Sequence, residues 1–235
     1  EVSGSTGAVV PPSRSFQQFL ISKLQYLFTV NNQSMLKRLR SALNPFGELI
    51  LSTEDLDAAN TLPDLYGPIW IANTLILVAT CAANFIDRVD SVHRTGDGSW
   101  HYRFSYFIYT SSIVYGILLL SAFTTHYFIR SASSNLPLLT CLCLEGYTFL
   151  PYIAACVLSF TCVPVVYYVS CIVAQILSSL VLIHNVHYHY INSFDLTHDS
   201  SQTVRHKTLI ILYLILCLLR CVLTFCILLL LLRVL

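Results

Sequence analysis

Two residues stand out for their chemistry because of where they fall. Glu145 lies about nine residues into one long apolar run, and Arg220 about a dozen residues into another. A charge in hydrocarbon costs several kcal/mol, so such residues face a bundle interior and pair, or mark an ion or substrate path. Both runs lead away from the same membrane face. At 1.5 Å per residue the two side chains start at depths of about 13 Å and about 18 Å, within mutual reach. The expected arrangement is an intramembrane Glu145–Arg220 pair. The other reading is a neutral Glu145, with Arg220 solvated by carbonyls and water.

Other reactive side chains form no site by spacing. His184, His187 and His189 fall in IHNVHYHY, where a run leaves the membrane. A helical i, i+3 pair suits a metal, but His189 points elsewhere and no nearby carboxylate completes the set. Interfacial His and Tyr also occur simply because their rings are amphipathic. The nine cysteines include Cys141 and Cys143 as a C-x-C without a matching second pair. Nearly all sit in apolar runs, where a thiol behaves as a small hydrophobe. An odd count without loop spacing argues against a disulfide framework. No GxSxG, HExxH or P-loop is present. The expectation is a protein that is not an enzyme and needs no metal or cofactor.

The elements that must position these groups follow from composition. Of 235 residues, 55% are hydrophobic and only 11% charged. A soluble surface takes roughly a quarter charged residues, so this chain expects lipid around much of it. A net charge of +1 and the lack of a basic run interleaved with aromatics exclude a nucleic-acid partner.

Five apolar runs follow a polar first third: Ile69 to Ile86, Tyr106 to Ile129, Leu136 to Phe160, Val163 to Ile183, and Leu209 to Leu232. Each is near the ~20 residues that cross ~30 Å of hydrocarbon. Only Thr161-Cys162 separates the third from the fourth, which predicts a tight helical hairpin. The fold class is therefore an all-α membrane protein, a bundle of five transmembrane helices with a cytosolic N-terminal segment.

Residues 1–67 form that segment and 68–235 the membrane domain. The start is Gly/Ser/Pro-rich and carries no apolar leader, so the first span is expected to direct insertion. Met35, Leu36, Leu39, Ala42 and Leu43 share one helix face while Lys37, Arg38 and Arg40 crowd the rest. Such a short basic amphipathic helix suits a membrane surface, a partner groove or the flank of the bundle. An acidic linker with Glu54, Asp55 and Asp57 comes next.

With the N-terminus in the cytosol, Arg14, Lys23, Lys37, Arg38, Arg40, Arg130, Arg205 and Lys207 share that side, against Arg88, Arg94, Arg103 and Arg233 opposite. The positive-inside rule favours this orientation and leaves the C-terminus lumenal.

Asp64-Leu65-Tyr66-Gly67-Pro68 stands immediately before the first span and continues Ile69-Trp70. Proline suits the first turn of a helix, where its missing N–H has no partner anyway. Tyr66 and Trp70 suit headgroup depth. In the third run, Gly146 permits a close helix approach, Tyr147 can hydrogen-bond across it, and Pro151 frees a carbonyl and permits a kink.

DLYGP in this place, the Gly146-Tyr147…Pro151 pattern and the supporting Tyr115-Gly116 resemble the signatures of the Yip family, Ypt/Rab-interacting multi-pass membrane proteins. The resemblance covers about residues 16–235. It implies residence in the Golgi membrane and early secretory pathway, and a non-enzymatic role in vesicle trafficking. The partners it implies are Rab/Ypt-type small GTPases, other Yip-family membrane proteins and vesicle-coat machinery. Asp64, Leu65, Tyr66, Gly67, Pro68, Gly146 and Tyr147 become the candidate partner-binding residues. Glu145, where relatives carry an uncharged residue, is a departure from the pattern. The competing class is a small membrane transporter or lipid-handling protein using a midplane Glu145/Arg220 site.

Overall fold

A computed structural model of the chain describes Gln18 and residues 32–51, 65–95, 100–131, 136–192 and 202–232. The expected disordered start and the acidic linker, Asp64 included, lie outside the described residues. Regular structure among the described residues is helical throughout. In chain order the helices are α1 (Asn32–Leu43), α2 (Tyr66–Thr95), α3 (Ser105–Ser131), α4 (Leu138–Tyr147), α5 (Leu150–Leu158), α6 (Pro164–Asn192) and α7 (Gln202–Leu232).

Five stretches are long and apolar enough to cross a membrane: Tyr66–His93, Ser105–Arg130, Leu138–Thr161, Pro164–His189 and Lys207–Leu231. Several helices outrun the apolar runs that announce them. α2 continues through Asp87, Arg88 and Asp90, and α6 through the His/Tyr stretch, because helical hydrogen bonding continues past the hydrocarbon edge. Outward faces carry carbon rather than charge: Leu77, Leu120, Phe123, Leu214 and Leu218 are each more than half exposed. That is the surface a lipid solvent selects.

The third span, α4 and α5 together, is the most enclosed of the five. It packs against α2 on one side, α3 beside its first half and α6 beside its second. α7 closes the bundle against α3 and α6. Pro151 explains why this span is two helices. Its ring excludes the carbonyl four residues earlier, that of Tyr147, from a normal helical bond. The chain turns through Thr148 and Phe149, where Phe149 N–H bonds Gly146 O at 3.2 Å instead.

The hairpin between the third and fourth spans falls where the short link predicts. A 3-10 turn over Ser159–Thr161 ends α5, and Cys162 takes a left-handed conformation, φ 56°, before Pro164 opens α6. On the other side, Asn84 closes the α2–α3 connection. Its Oδ1 accepts from Arg103 N–H at 2.9 Å, and Asp87 meets Arg103 at 3.4 Å.

α1 packs on the bundle, against α4, α5 and α6. Ala42, Ile50 and Leu51 are buried, and Ile50 N–H donates to Asn185 Oδ1 on α6 at 2.9 Å. Leu36 and Phe46 stay exposed, so the amphipathic segment keeps an apolar outer side as well.

Candidate functional site

The two sequence signatures meet. α2 begins at Tyr66, two residues ahead of Pro68, so the proline lies within the first turn, where no intrahelical acceptor is lost. α4 ends at Tyr147 because of Pro151. These two ends cross with their glycines facing each other's neighbours. A Cβ on Gly67 would lie 2.6 Å from Tyr147 Cζ. A Cβ on Gly146 would lie 2.9 Å from Pro68 Cα. Each glycine therefore makes room for the residue beside the other, a reciprocal joint between the first and third spans. Gly67, Pro68, Gly146 and Tyr147 are all buried in it, while Leu65 and Tyr66 are half-buried at its edge. The Tyr66 ring rests 5.8 Å from that of Trp70.

One residue from the joint sits the ion pair. Arg220 Nη2 on α7 lies 2.5 Å from Glu145 Oε2, and both side chains are fully buried. Thr125 Oγ1 on α3 donates to the second carboxylate oxygen at 2.9 Å. Thr148 Oγ1 also accepts from Arg220 Nη2 and donates in turn to Glu145 O at 2.7 Å. The guanidinium carbon stands 4.5 Å over the Phe149 ring, a cation–π contact. Arg220 Nε and Nη1 have no hydrogen-bond partner among the described residues. Glu145 thus joins α3, α4 and α7 at the point where the third span breaks.

A second polar layer follows one turn along. The hydrogen-bond network orients the Gln175 amide with its nitrogen towards Tyr152 Oη, Thr224 Oγ1 and Arg220 O, and its oxygen towards Cys221 N–H. This layer links α5, α6 and α7.

The chemistry available here is that of a fixed contact. The carboxylate and guanidinium occupy each other in a closed setting, and neither lines the grooves described below. Among the described residues no three His, Cys, Asp or Glu side chains converge as a metal set. His187 instead bonds Tyr213 Oη at 2.9 Å. Gly116 does no close packing, since a Cβ there would meet nothing within 4 Å. Its neighbour Tyr115 bonds Asn73 Oδ1 on α2 at 2.8 Å. Sequence reasoning missed Thr125, Thr148 and Phe149 around the pair. Thr148 alone carried a signal, one turn after Glu145.

The fold and the buried joint define a five-span helical membrane protein. Comparison with known proteins narrows the class. Over 173 residues the chain is 24% identical to Protein YIPF1 homolog of Dictyostelium discoideum, covering 74% of this chain and 48% of that protein. Over 99 residues it is 35% identical to Protein YIP5 of Schizosaccharomyces pombe, covering 42% of this chain and 39% of that one. Both relatives are members of the Yip family, so the resemblance carried by DLYGP extends, at modest identity, over part of the chain. The chain spans about half or less of the length of the curated relatives it matches. No family model matches the chain, and no solved structure matches it.

Proposed function

We propose that this chain is a non-enzymatic membrane factor in vesicle trafficking of the ER/Golgi system, interacting with Rab-type GTPases and related membrane proteins. Its place is the Golgi membrane and early secretory pathway, with the N-terminus cytosolic and the C-terminus lumenal. The observation that carries the reading is the joint between the two signatures. Gly67-Pro68 and Gly146-Tyr147 form one contact that fixes where the first span begins. In this reading the four buried residues set the pose, Leu65 and Tyr66 present its edge to the partner, and Asp64 contributes a charge. The acidic linker faces the basic tail of a lipidated GTPase.

The test is affinity capture of prenylated Rab-type GTPases from mild detergent. An Asp64→Arg/Tyr66→Ala variant leaves both glycines in place and is expected to lose at least tenfold of the captured GTPase. Equal capture by this variant and the parent, with both proteins folded, overturns the reading.

A further inference from the structure

Pro151 also borders an open surface on the second half of the third span. There an open groove of about 510 Å³ runs between α5 and α6. That volume falls within the range of roughly 300–1,000 Å³ typical of small-molecule sites. Its build is periodic. Val165, Val169 and Val173 recur every fourth residue of α6 and form one wall, each about half exposed or more. Ala154 and Leu158 form the facing wall on α5. Buried Ala155 and Ala174 form a floor low enough to admit a chain of methylenes. The lining is almost entirely carbon.

One end of this groove is not hydrocarbon. Leu43, the last residue of α1, lines the apolar groove and also a second, polar recess along α1. Lys37, Arg40 and Glu48 supply that recess with its charges. Lys37 reaches Glu48 at 3.2 Å with both side chains largely exposed, an ion pair worth little in water. Arg40 is exposed beside it, and Arg38 adds a third cation to the helix. Ile50 is tethered to Asn185, eight residues beyond Leu177 in the groove lining, or about 12 Å along α6. The stretch that follows the basic helix is therefore held near the C-terminal end of α6.

We propose that the α1–α5–α6 groove binds one anionic glycerophospholipid. An acyl chain lies between the valine ridge and α5, its length passes Leu43, and its phosphate meets Arg40 and Lys37. Charge complementarity selects this occupant. An apolar helix of a partner protein would fill the carbon groove but offer no counter-charge to Arg40, since Glu48 already meets Lys37. A bulk zwitterionic lipid would use the groove without the cations. The groove shares no lining residue with the Gly67–Tyr147 joint or the Glu145–Arg220 pair, so the proposal does not rest on the trafficking role.

The experiment uses the full chain in nanodiscs of phosphatidylcholine containing phosphatidylserine, transferred to mild detergent for native mass spectrometry of retained lipid. Retained phosphatidylserine is expected to exceed phosphatidylcholine by at least fivefold over their ratio in the disc. Val169→Trp fills the groove and is expected to abolish retention of both. Arg40→Glu is expected to erase the preference for phosphatidylserine while leaving phosphatidylcholine bound. Phe123→Trp, on the outer face of α3, is the control and should match the parent. Retention unchanged in Val169→Trp overturns the site, as does an equal loss in Phe123→Trp. A phosphatidylserine preference that survives Arg40→Glu overturns the headgroup assignment. Where Val169→Trp fails to fold, Ala154→Leu narrows the same groove from α5 and is read identically. A captured protein helix in place of lipid also overturns the proposal.

Discussion

Pro68 occupies the space that a side chain on Gly146 would need. Its Cα, not only its ring, lies 2.9 Å from where a Cβ would sit, and backbone cannot swing aside. Gly67 is different, because the atoms nearest to its missing Cβ belong to the far end of the Tyr147 side chain.

These two glycines therefore predict different rescue behaviour. Gly146→Ala is expected to lower the unfolding midpoint in detergent, at a cost of about 1–3 kcal/mol from overpacking. Trimming a neighbouring side chain should not restore it. Gly67→Ala should cost a similar amount alone, but Tyr147→Leu in the same chain should recover part of the loss. A double-mutant cycle on thermal stability measures this coupling. Additive losses for Gly67→Ala and Tyr147→Leu would show that the two residues do not meet.

The ion pair predicts an asymmetry between breaking and replacing. Removing one member leaves a buried charge without its partner, which typically costs about 3–5 kcal/mol. Arg220→Leu and Glu145→Leu are each expected to reduce folded yield and thermal stability by that order. The double Glu145→Leu/Arg220→Met should lie much closer to the parent, because two apolar side chains need no partner. Thr125→Val should cost about 1–3 kcal/mol, since it removes the donor to the second carboxylate oxygen. A double variant no more stable than either single would argue against the pair as the cause.

Much of this was open to sequence reasoning, for local reasons. The five spans follow from hydropathy, the hairpin from the shortness of Thr161-Cys162, and the helix break from Pro151. α1 is marked by its own apolar face. The close approach at Gly146 was foreseeable as a type of contact, but its partner was not. Gly146 and Pro68 are far apart in sequence, and nothing in either motif names the other. Glu145 and Arg220 were matched by depth, which is a global coordinate that every membrane helix shares. Thr125 had no such marker, because threonines are frequent in these spans and bond their own helix by default, as Thr124 does to Leu120 O at 2.8 Å. Apolar runs do not mark the helix ends where polar residues continue a helix into water, as in α2 and α6.

The orientation proposed for the bundle predicts a glycosylation pattern. Asn32-Gln33-Ser34 is an N-x-S acceptor, modified only on the lumenal side. With a cytosolic N-terminus it stays bare. An acceptor inserted between Thr95 and Trp100, in the connection from α2 to α3, is then on the lumenal side and should be modified. One inserted after Asn192, between α6 and α7, should not. Enzymatic deglycosylation followed by gel mobility reads all three. A mobility shift at Asn32 would reverse the topology and, with it, the cytosolic placement of DLYGP.

The last prediction concerns how firmly the N-terminal segment is held. Asn185 makes two buried hydrogen bonds, accepting from Ile50 N–H at 2.9 Å and donating to Val181 O at 2.8 Å. The second is within α6 and leaves little behind when removed. The first crosses 135 residues of sequence and fixes the chain between α1 and the linker. Asn185→Ala would strand a buried N–H, at about 1–3 kcal/mol. That cost is comparable to what burying Ile50 or Leu51 contributes, about 1.5–3 kcal/mol per side chain, so the stretch is held more loosely rather than released. Limited proteolysis in detergent should therefore cut near residues 44–51 several-fold faster in Asn185→Ala, with the five spans intact. If the rate is unchanged, α1 is held by the buried contact of Ala42, and the tether to Asn185 is incidental.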